Sequence, residues 1–257
     1  MYKRFDKNYN IISNNHVKDK YFKLNIHVGN NVIYCNPGQF FMLNLPGHIL
    51  RRPFSIHDIN MQDQSISFLY KVVGKGTKEL SQVRKGKIKL LGPLGNGYNL
   101  NNCEQENCNN IIIAGGSGIA SLYILAKKLK KTGTLYYGVR SKTDLICVDQ
   151  FISLNWKVIV ATEDGSIGYK GYIVDLVENL IKKNDIIFAC GPHNMLIKIQ
   201  QIIYKNQISG FISFEAKMGC GFGNCQSCTI VINNQLQKVC TDGPIFKICS
   251  FQHYKIK

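Results

Sequence analysis

The 257 residues, 45% of them hydrophobic, suffice for one large or two ordinary domains with real cores, which excludes a disordered tail. The formal charge of +16 would suit a nucleic-acid or membrane surface, but the Lys residues run along the whole chain, with no basic block interleaved with aromatics, so neither partner is expected. The N-terminal stretch lacks the continuous apolar core of a signal peptide and no run of about 18 apolar residues occurs, so the chain reads as cytoplasmic.

From about residue 8 to 100, short alternating segments such as "FKLNIHV", "QFFMLNLP", "SISFLYKVV" and "KIKLLGP" are broken by Gly, Pro and Asn. That spacing predicts an antiparallel barrel or sandwich. After the polar linker "NLNNCEQENCNN" the rhythm changes: apolar strands "IIIAGG", "TLYYGV", "KVIVAT" and "DIIFACG" alternate with helical stretches such as "SLYILAKKLKK" and "HNMLIKIQQIIYK". Strands alternating with helices predict a parallel sheet wound on both faces. The last forty or so residues are too few for a large core, and a metal centre would supply the missing stability. The expected fold class is therefore α+β multidomain, with a β-barrel domain over 1–100, an α/β parallel-sheet domain over 101–212 and a small C-terminal cluster domain over 213–257.

Ten cysteines in a reducing compartment point to metal more than to disulfides, and four of them are grouped. In "CGFGNCQSC" and the later "VC", four residues separate Cys220 from Cys225, two separate Cys225 from Cys228, and eleven separate Cys228 from Cys240. The first three fit the plant-type spacing of [2Fe-2S] proteins, with the fourth ligand arriving later. Soft thiolates match iron, and Gly219, Gly221 and Gly223 would let backbone amides approach the sulfurs. A structural zinc site or unligated thiols are the alternatives. Cys35, Cys103, Cys108, Cys147 and Cys249 show no such grouping.

Weaker signals precede the cluster. "IIIAGGSGIASL" runs from a strand through Gly115, Gly116 and Gly118 into a helix, a turn that either binds a pyrophosphate or is merely tight. "FACGPHNML" places Cys190, Gly191 and Pro192 at a strand's carboxyl end, where open parallel sheets bind ligands, although Cys190 alone reads as a core thiol. Arg52 in "RRPFSI" offers a fork of donors, and the turn at Gly74, Gly76 and Thr77 could present amides to phosphate; each also reads as ordinary surface structure.

Taken in this order, "RPFS", "AGGSGIA", "CGP" and a plant-type cluster resemble the ferredoxin-reductase-like flavoproteins. Together with "GPLGNGY", "TEDGSIGYKG", "MGCGFGNCQSC" and "VCTDGPIF", they are more closely similar to the electron-transfer subunits of NAD-dependent dihydroorotate dehydrogenase B. The resemblance implies an FAD site at Arg52, Pro53, Phe54, Ser55, Leu69, Tyr70, Lys71, Gly76 and Thr77, with Ser55 near the flavin ring. It implies NAD over Gly115, Gly116 and Gly118, near Gly191 and Pro192, with Cys190 beside the nicotinamide. Ser117 and Ser121 depart from the apolar residue and Pro that relatives often carry.

The resemblance further implies an NAD-dependent oxidoreductase subunit in pyrimidine biosynthesis. Dihydroorotate would reduce FMN in a partner catalytic subunit, in a heterotetramer with two copies of each, and electrons would pass through the [2Fe-2S] cluster and FAD to NAD. The chain alone is not expected to oxidise dihydroorotate. A rival is the small subunit of a ferredoxin-dependent NADP oxidoreductase or a sulfide dehydrogenase, where an Asp often replaces the first cluster Cys; Cys220 argues against it, whereas Arg140 could meet a 2′-phosphate. A rival of another class, a zinc- or nucleic-acid-binding module, leaves "RPFS" and the glycine-rich strand ends unexplained.

Overall fold

The computed structural model describes residues 4–100, 108–232 and 235–248. Cys103, Cys249, the expected boundary at 101 and the tail beyond 248 lie outside the described residues.

The first sheet contains β1 (Phe5–Lys18), β2 (Tyr21–His27), β3 (Phe40–Leu43), β4 (Arg52–Ser55), β5 (Asp58–Asn60), β6 (Ser65–Lys71) and β7 (Lys87–Leu94). Its order is β4-β3-β7-β1-β2-β6-β5, with every pair antiparallel. Alternation sets its faces: in β2, Leu24 and Ile26 turn into the barrel, while Tyr21 on the opposite face packs against the neighbouring domain. β4 and β5 lie at opposite edges yet are joined by only Ile56 and His57, so the sheet must curl until its edges meet. Ile56 N donates to Gln39 O (3.0 Å) and His57 N to Ser67 O (2.8 Å), stitching that seam, and Phe54 meets Phe68 and Tyr70 edge-on across it. This is the barrel expected from the alternation.

Helix α1 (Lys75–Leu80) inserts Leu80 into the barrel. Its end is satisfied from inside: Asn14 Nδ2 donates to Leu80 O at 2.7 Å and Val83 O at 2.9 Å, and Tyr70 Oη donates to Asn14 Oδ1. A helix ending over an apolar core needs such donors for its last carbonyls.

The second sheet contains β8 (Asn109–Gly115), β9 (Gly133–Val139), β10 (Lys157–Thr162), β11 (Tyr169–Lys170), β12 (Asp185–Cys190) and β13 (Ser209–Ser213), in the order β11-β10-β9-β8-β12-β13, all parallel. Helices α2 (Ile119–Lys128) and α3 (Val148–Ser153) cover one face, and α4 (Ile173–Glu178) and α5 (His193–Lys205) the other. The strands serve both: Ile111 and Ile113 pack with Val177 and Ile199, while Ile112 and Ala114 pack with Leu122 and Phe151. Burial on both faces explains why these strands read as unbroken apolar runs. Strand order reverses at β8, which opens a crevice at the carboxyl ends of β8, β9 and β12.

The C-terminal part holds a hairpin, β14 (Thr229–Ile232) with β15 (Gln235–Lys238), and then β16 (Ile245–Ile248). β16 pairs antiparallel with β13, as the last strand of the second sheet. The sequence boundary at 213 is therefore no break in packing: Phe40 and Met42 of the barrel, Ile212 of β13, and Cys228, Val239 and Cys240 share one core. Among the described residues, no helix is long and apolar enough to cross a membrane.

Candidate functional site

All nine residues expected to hold FAD line one cavity of about 620 Å³: Arg52, Pro53, Phe54 and Ser55 from β4, Leu69, Tyr70 and Lys71 from the end of β6, and Gly76 and Thr77 from α1. Arg52 spends one guanidinium nitrogen on Leu50 O (2.9 Å) and Arg51 O, so it is braced while its other donors face outward. Thr77 acts as an internal cap: its Oγ1 accepts from Val73 N (3.0 Å) and Gly74 N (3.2 Å). That bond shapes the turn, and the first amides of α1 keep no intrahelical acceptor. A Cβ on Gly76 would lie 3.0 Å from Leu45 Cδ1 and 3.2 Å from His48 Nε2, so the turn is pressed against the loop after β3. His48 also pairs with Glu79 Oε2 at 3.0 Å and lines the cavity; no sequence pattern marked it.

A second cavity of about 740 Å³ opens at the β8 crevice, lined by Gly115, Gly116, Gly118, Gly191 and Pro192. The glycines serve different ends. Gly116 has φ +52°, and among the described residues no atom lies within 4 Å of where a Cβ would stand, so it turns the chain in the open. A Cβ on Gly118 would stand 2.4 Å from Cys190 O, so its absence lets α2 press on β12. Cys190 is 1% exposed and lines neither cavity. Burial pushes its thiol up to about 12. Arg140 lines the second cavity together with Asp144, Glu163, Tyr172 and Lys198. Glu163 and Tyr172 lie within "TEDGSIGYKG" and beside it, a motif that carried resemblance but no assigned role.

The two cavities meet: Lys71, Ser117 and Glu215 line both. Lys71 Nζ stands 3.7 Å from Asp144 Oδ1 and over the Tyr21 ring, tying the barrel to the loop after β9. Glu215 keeps solvent access through the cavities, yet burial of its carboxyl among the walls raises its pKa. No role was expected of Glu215, which precedes "MGCGFGNCQSC", or of Met218, which opens it, and only the fold turns them into the 620 Å³ cavity.

Two residues past Met218 begins the cysteine loop. Cys225 N and Phe222 N donate to Cys220 Sγ at 3.4 and 3.5 Å, and Cys220 N donates to Cys225 Sγ at 3.4 Å. Ser227 Oγ lies 3.1 Å from Cys225 Sγ and accepts from Gly219 N. The Ser227 hydroxyl, then backbone amides, lower the Cys225 thiol to about 6. Cys228 and Cys240 form a second, buried neighbouring pair, and burial followed by the contact with Cys228 pushes Cys240 up to about 12. Gly221 (φ +82°) fits only without a side chain, since a Cβ would fall 2.5 Å from Met42 Cγ. Among the described residues, no group of three or more His, Cys, Asp or Glu is placed to hold a metal ion. Of the four predicted cysteines, Cys220 and Cys225 are ringed by N–H donors that favour anionic sulfur, and Cys240 lies within electrostatic reach of both Cys228 and Cys220. Cys35 and Cys147 are thiols that burial pushes up to about 12, away from any partner cysteine in this loop.

The family model described as the iron-sulfur cluster binding domain of dihydroorotate dehydrogenase B matches residues 215–251, and one described as an oxidoreductase NAD-binding domain matches residues 112–201. The "Dihydroorotate dehydrogenase B (NAD(+)), electron transfer subunit" of Caldanaerobacter subterraneus subsp. tengcongensis is 40% identical over 217 residues, covering 82% of this chain and 85% of that protein. The protein of the same description from Clostridium acetobutylicum is 37% identical over 239 residues, covering 92% and 93%. A solved structure of an NADH-dependent reduced ferredoxin-NADP oxidoreductase superposes with a TM-score of 0.82 at 30% identity, covering 96% of this chain and 90% of that one. A ferredoxin NADP+ reductase from Neisseria gonorrhoeae, solved with bound FAD and NADP, shares the fold at a TM-score of 0.66 and 18% identity, covering 78% and 91%.

Proposed function

The chain belongs to the family of dihydroorotate dehydrogenase B (NAD(+)) electron transfer subunits, and from that premise we propose that it carries electrons between NAD and the FMN of a separate catalytic subunit, through FAD and a [2Fe-2S] cluster. The observation that supports this best is contiguity. Lys71, Ser117 and Glu215 are walls of both the NAD-side and the flavin-side cavity, and Met218 lines the latter two residues before Cys220.

The groups, when bound, supply hydride exchange between nicotinamide and flavin and single-electron transfer at the cluster. The chain's residues would hold and orient them. The outward donors of Arg52 and the first amides of α1 suit a pyrophosphate. Ser55 keeps its hydroxyl exposed in the cavity wall, where it can donate to a flavin ring nitrogen. Gly115, Gly116 and Gly118 let the NAD pyrophosphate approach backbone at the start of α2. Cys190, behind this wall, would shape the nicotinamide pocket through packing rather than by offering a free thiolate. Cys220, Cys225, Cys228 and Cys240 would hold the two irons through their thiolates.

In this reading the domains are a flavin barrel (1–100), an NAD domain (101–212) and a cluster segment (213–257), and the protein works in the cytoplasm in a complex with two copies of each subunit. The catalytic subunit supplies the dihydroorotate site, so the chain alone leaves dihydroorotate untouched. The test is purification of the chain alone. Flavin bands with broad iron-sulfur absorption and NADH-dependent ferricyanide reduction are expected, with dihydroorotate oxidation gained only on adding the catalytic subunit. A colourless protein, or dihydroorotate oxidation by the chain alone, would overturn it. The 30% identical oxidoreductase structure favours a second reading, the small subunit of a ferredoxin-dependent NADP enzyme, which a strong preference for NADPH over NADH would support.

A further inference from the structure

Ile56 and His57 form the seam at which the barrel's two edges join, and the two side chains part there. His57 leaves the barrel for the neighbouring domain. Its ring is fully buried, Nδ1 lies 2.7 Å from the carbonyl oxygen of Ala120 in the first turn of α2, and its face stacks on Tyr123 with centroids 5.0 Å apart. A carbonyl can only accept, so Nδ1 carries the proton and Nε2 is an acceptor. Among the described residues Nε2 has no hydrogen-bond partner as placed, and neither does the buried Oε1 of Gln150, the α3 side chain that reaches the ring. Turning the Gln150 amide, so that its NH2 donates to Nε2, satisfies both orphaned positions together. Beside this contact, Lys127 Nζ of α2 meets Asp58 Oδ1 at 2.9 Å.

The location gives this tie its significance. Ser55, in the flavin-side cavity, lies two residues before His57, and Ala120, which lines that same cavity, follows the Gly115 to Gly118 turn by two residues. One hydrogen bond therefore joins the link that follows the strand carrying the flavin-side hydroxyl to the helix that follows the turn on which the dinucleotide would lie. We propose that His57, supported by Gln150, is a positioning residue that fixes the dinucleotide turn relative to the flavin strand, so that nicotinamide and flavin meet at hydride-transfer distance. This rests on the assignment of the two cavities to FAD and NAD. An apolar side chain would fill the same space but let α2 slide over the barrel. A directional bond at one nitrogen, closed by an amide at the other, fixes both separation and rotation, and a misplacement of about 1 Å costs on the order of 100-fold in rate.

The test uses the full chain loaded with FAD and cluster, in three variants. His57→Phe keeps the ring and its stacking on Tyr123 but removes both nitrogens. His57→Asn restores an N–H near the Nδ1 position, and Gln150→Met removes the supporting amide. Stopped-flow reduction of FAD by NADH should show the limiting rate of His57→Phe lowered by about 10- to 100-fold, the half-saturating NADH concentration changed by less than about threefold, and FAD content unchanged. His57→Asn should recover much of the rate, and Gln150→Met should slow it less than His57→Phe does. An unchanged limiting rate in an FAD-replete His57→Phe protein overturns the proposal; if that variant does not fold, an unchanged rate in Gln150→Met does so. Nitrogen NMR of labelled histidine in the wild type tests the tie independently of NADH. The Nδ1–H tautomer with Nε2 accepting is expected, and the Nε2–H tautomer would overturn it. If NADH fails to reduce the wild-type flavin, the cavity assignment falls, while the tautomer still decides whether the tie exists.

Discussion

The barrel and the cysteine loop reach order by different physical means. In the barrel, Leu24, Ile26, Leu43, Phe68 and Leu90 are completely buried, and the curl that brings β4 to β5 follows from packing these side chains inside. Between Phe214 and Cys228 there is neither helix nor strand, and from Glu215 to Ser227 only Gly221 is buried. That loop is held by amide-to-sulfur bonds, by glycines that tolerate close approach to Met42 and Thr241, and by the cysteine pairs. The barrel should thus owe its stability to apolar area, and the loop to its donors and its metal.

The largest expected effect separates them outright. Cys228→Ser should abolish the iron-sulfur absorption and electron transfer to the catalytic subunit, while FAD content and NADH-dependent ferricyanide reduction persist; simultaneous loss of flavin would show that the loop also supports the barrel. Phe68→Ala inverts the pattern. Removing a fully buried ring that meets Phe41 and Phe54 edge-on should cost about 3–5 kcal/mol in denaturant unfolding and weaken FAD retention, with cluster absorption intact in whatever fraction remains folded.

Legibility in the sequence divides along the same line. Alternation in "SISFLYK" and the apolar run "IIIAGG" name their sheets because the apolar burial of each strand is written in its own residues, though Ser65 and Ser67 are buried too. Cysteine spacing names the loop because three of the four grouped cysteines are close in sequence, Cys240 being the exception. The residues missed are those placed by the fold: His48 from a loop, Glu215 from a turn into the cavity, and His57, whose partners Ala120 and Gln150 lie on another domain; Met218, within its motif, had no expected place there. Likewise β16 joins the second sheet through pairing with β13, a contact that no local pattern announces.

The barrel seam should also show a pH dependence that the loop does not share. Burial, opposed by the bond to Ala120, depresses the His57 pKa from an ordinary 6.5 to about 4. Below pH 6.5 the unfolded chain binds a proton that the folded one refuses, so stability is complete above that value and falls as pH drops to about 4. The difference between the two pKa values corresponds to about 3 kcal/mol. Urea unfolding at pH 7 and pH 4.5 should show this loss, and it should be absent in a folded His57→Phe protein. An equal acid sensitivity in that variant would place the titrating group elsewhere.

The smallest effect is the most discriminating, because one substitution should change sign between the regions. Ser67 in β6 has a buried hydroxyl with no hydrogen-bond partner among the described residues, so Ser67→Ala removes a polar atom that packing alone must accommodate. Ser227 in the loop accepts from Gly219 N at 3.0 Å and lies 3.1 Å from Cys225 Sγ, so Ser227→Ala leaves an amide unpaired and takes a donor from the sulfur. The first change should be neutral or stabilising and the second destabilising, each within about 1 kcal/mol. Unfolding midpoints read the barrel, and the rate of cluster loss to a chelator reads the loop. A destabilised Ser67→Ala barrel would mean that its hydroxyl is bonded after all, and an unchanged rate of cluster loss in Ser227→Ala would mean that the metal, without its donors, suffices to order the loop.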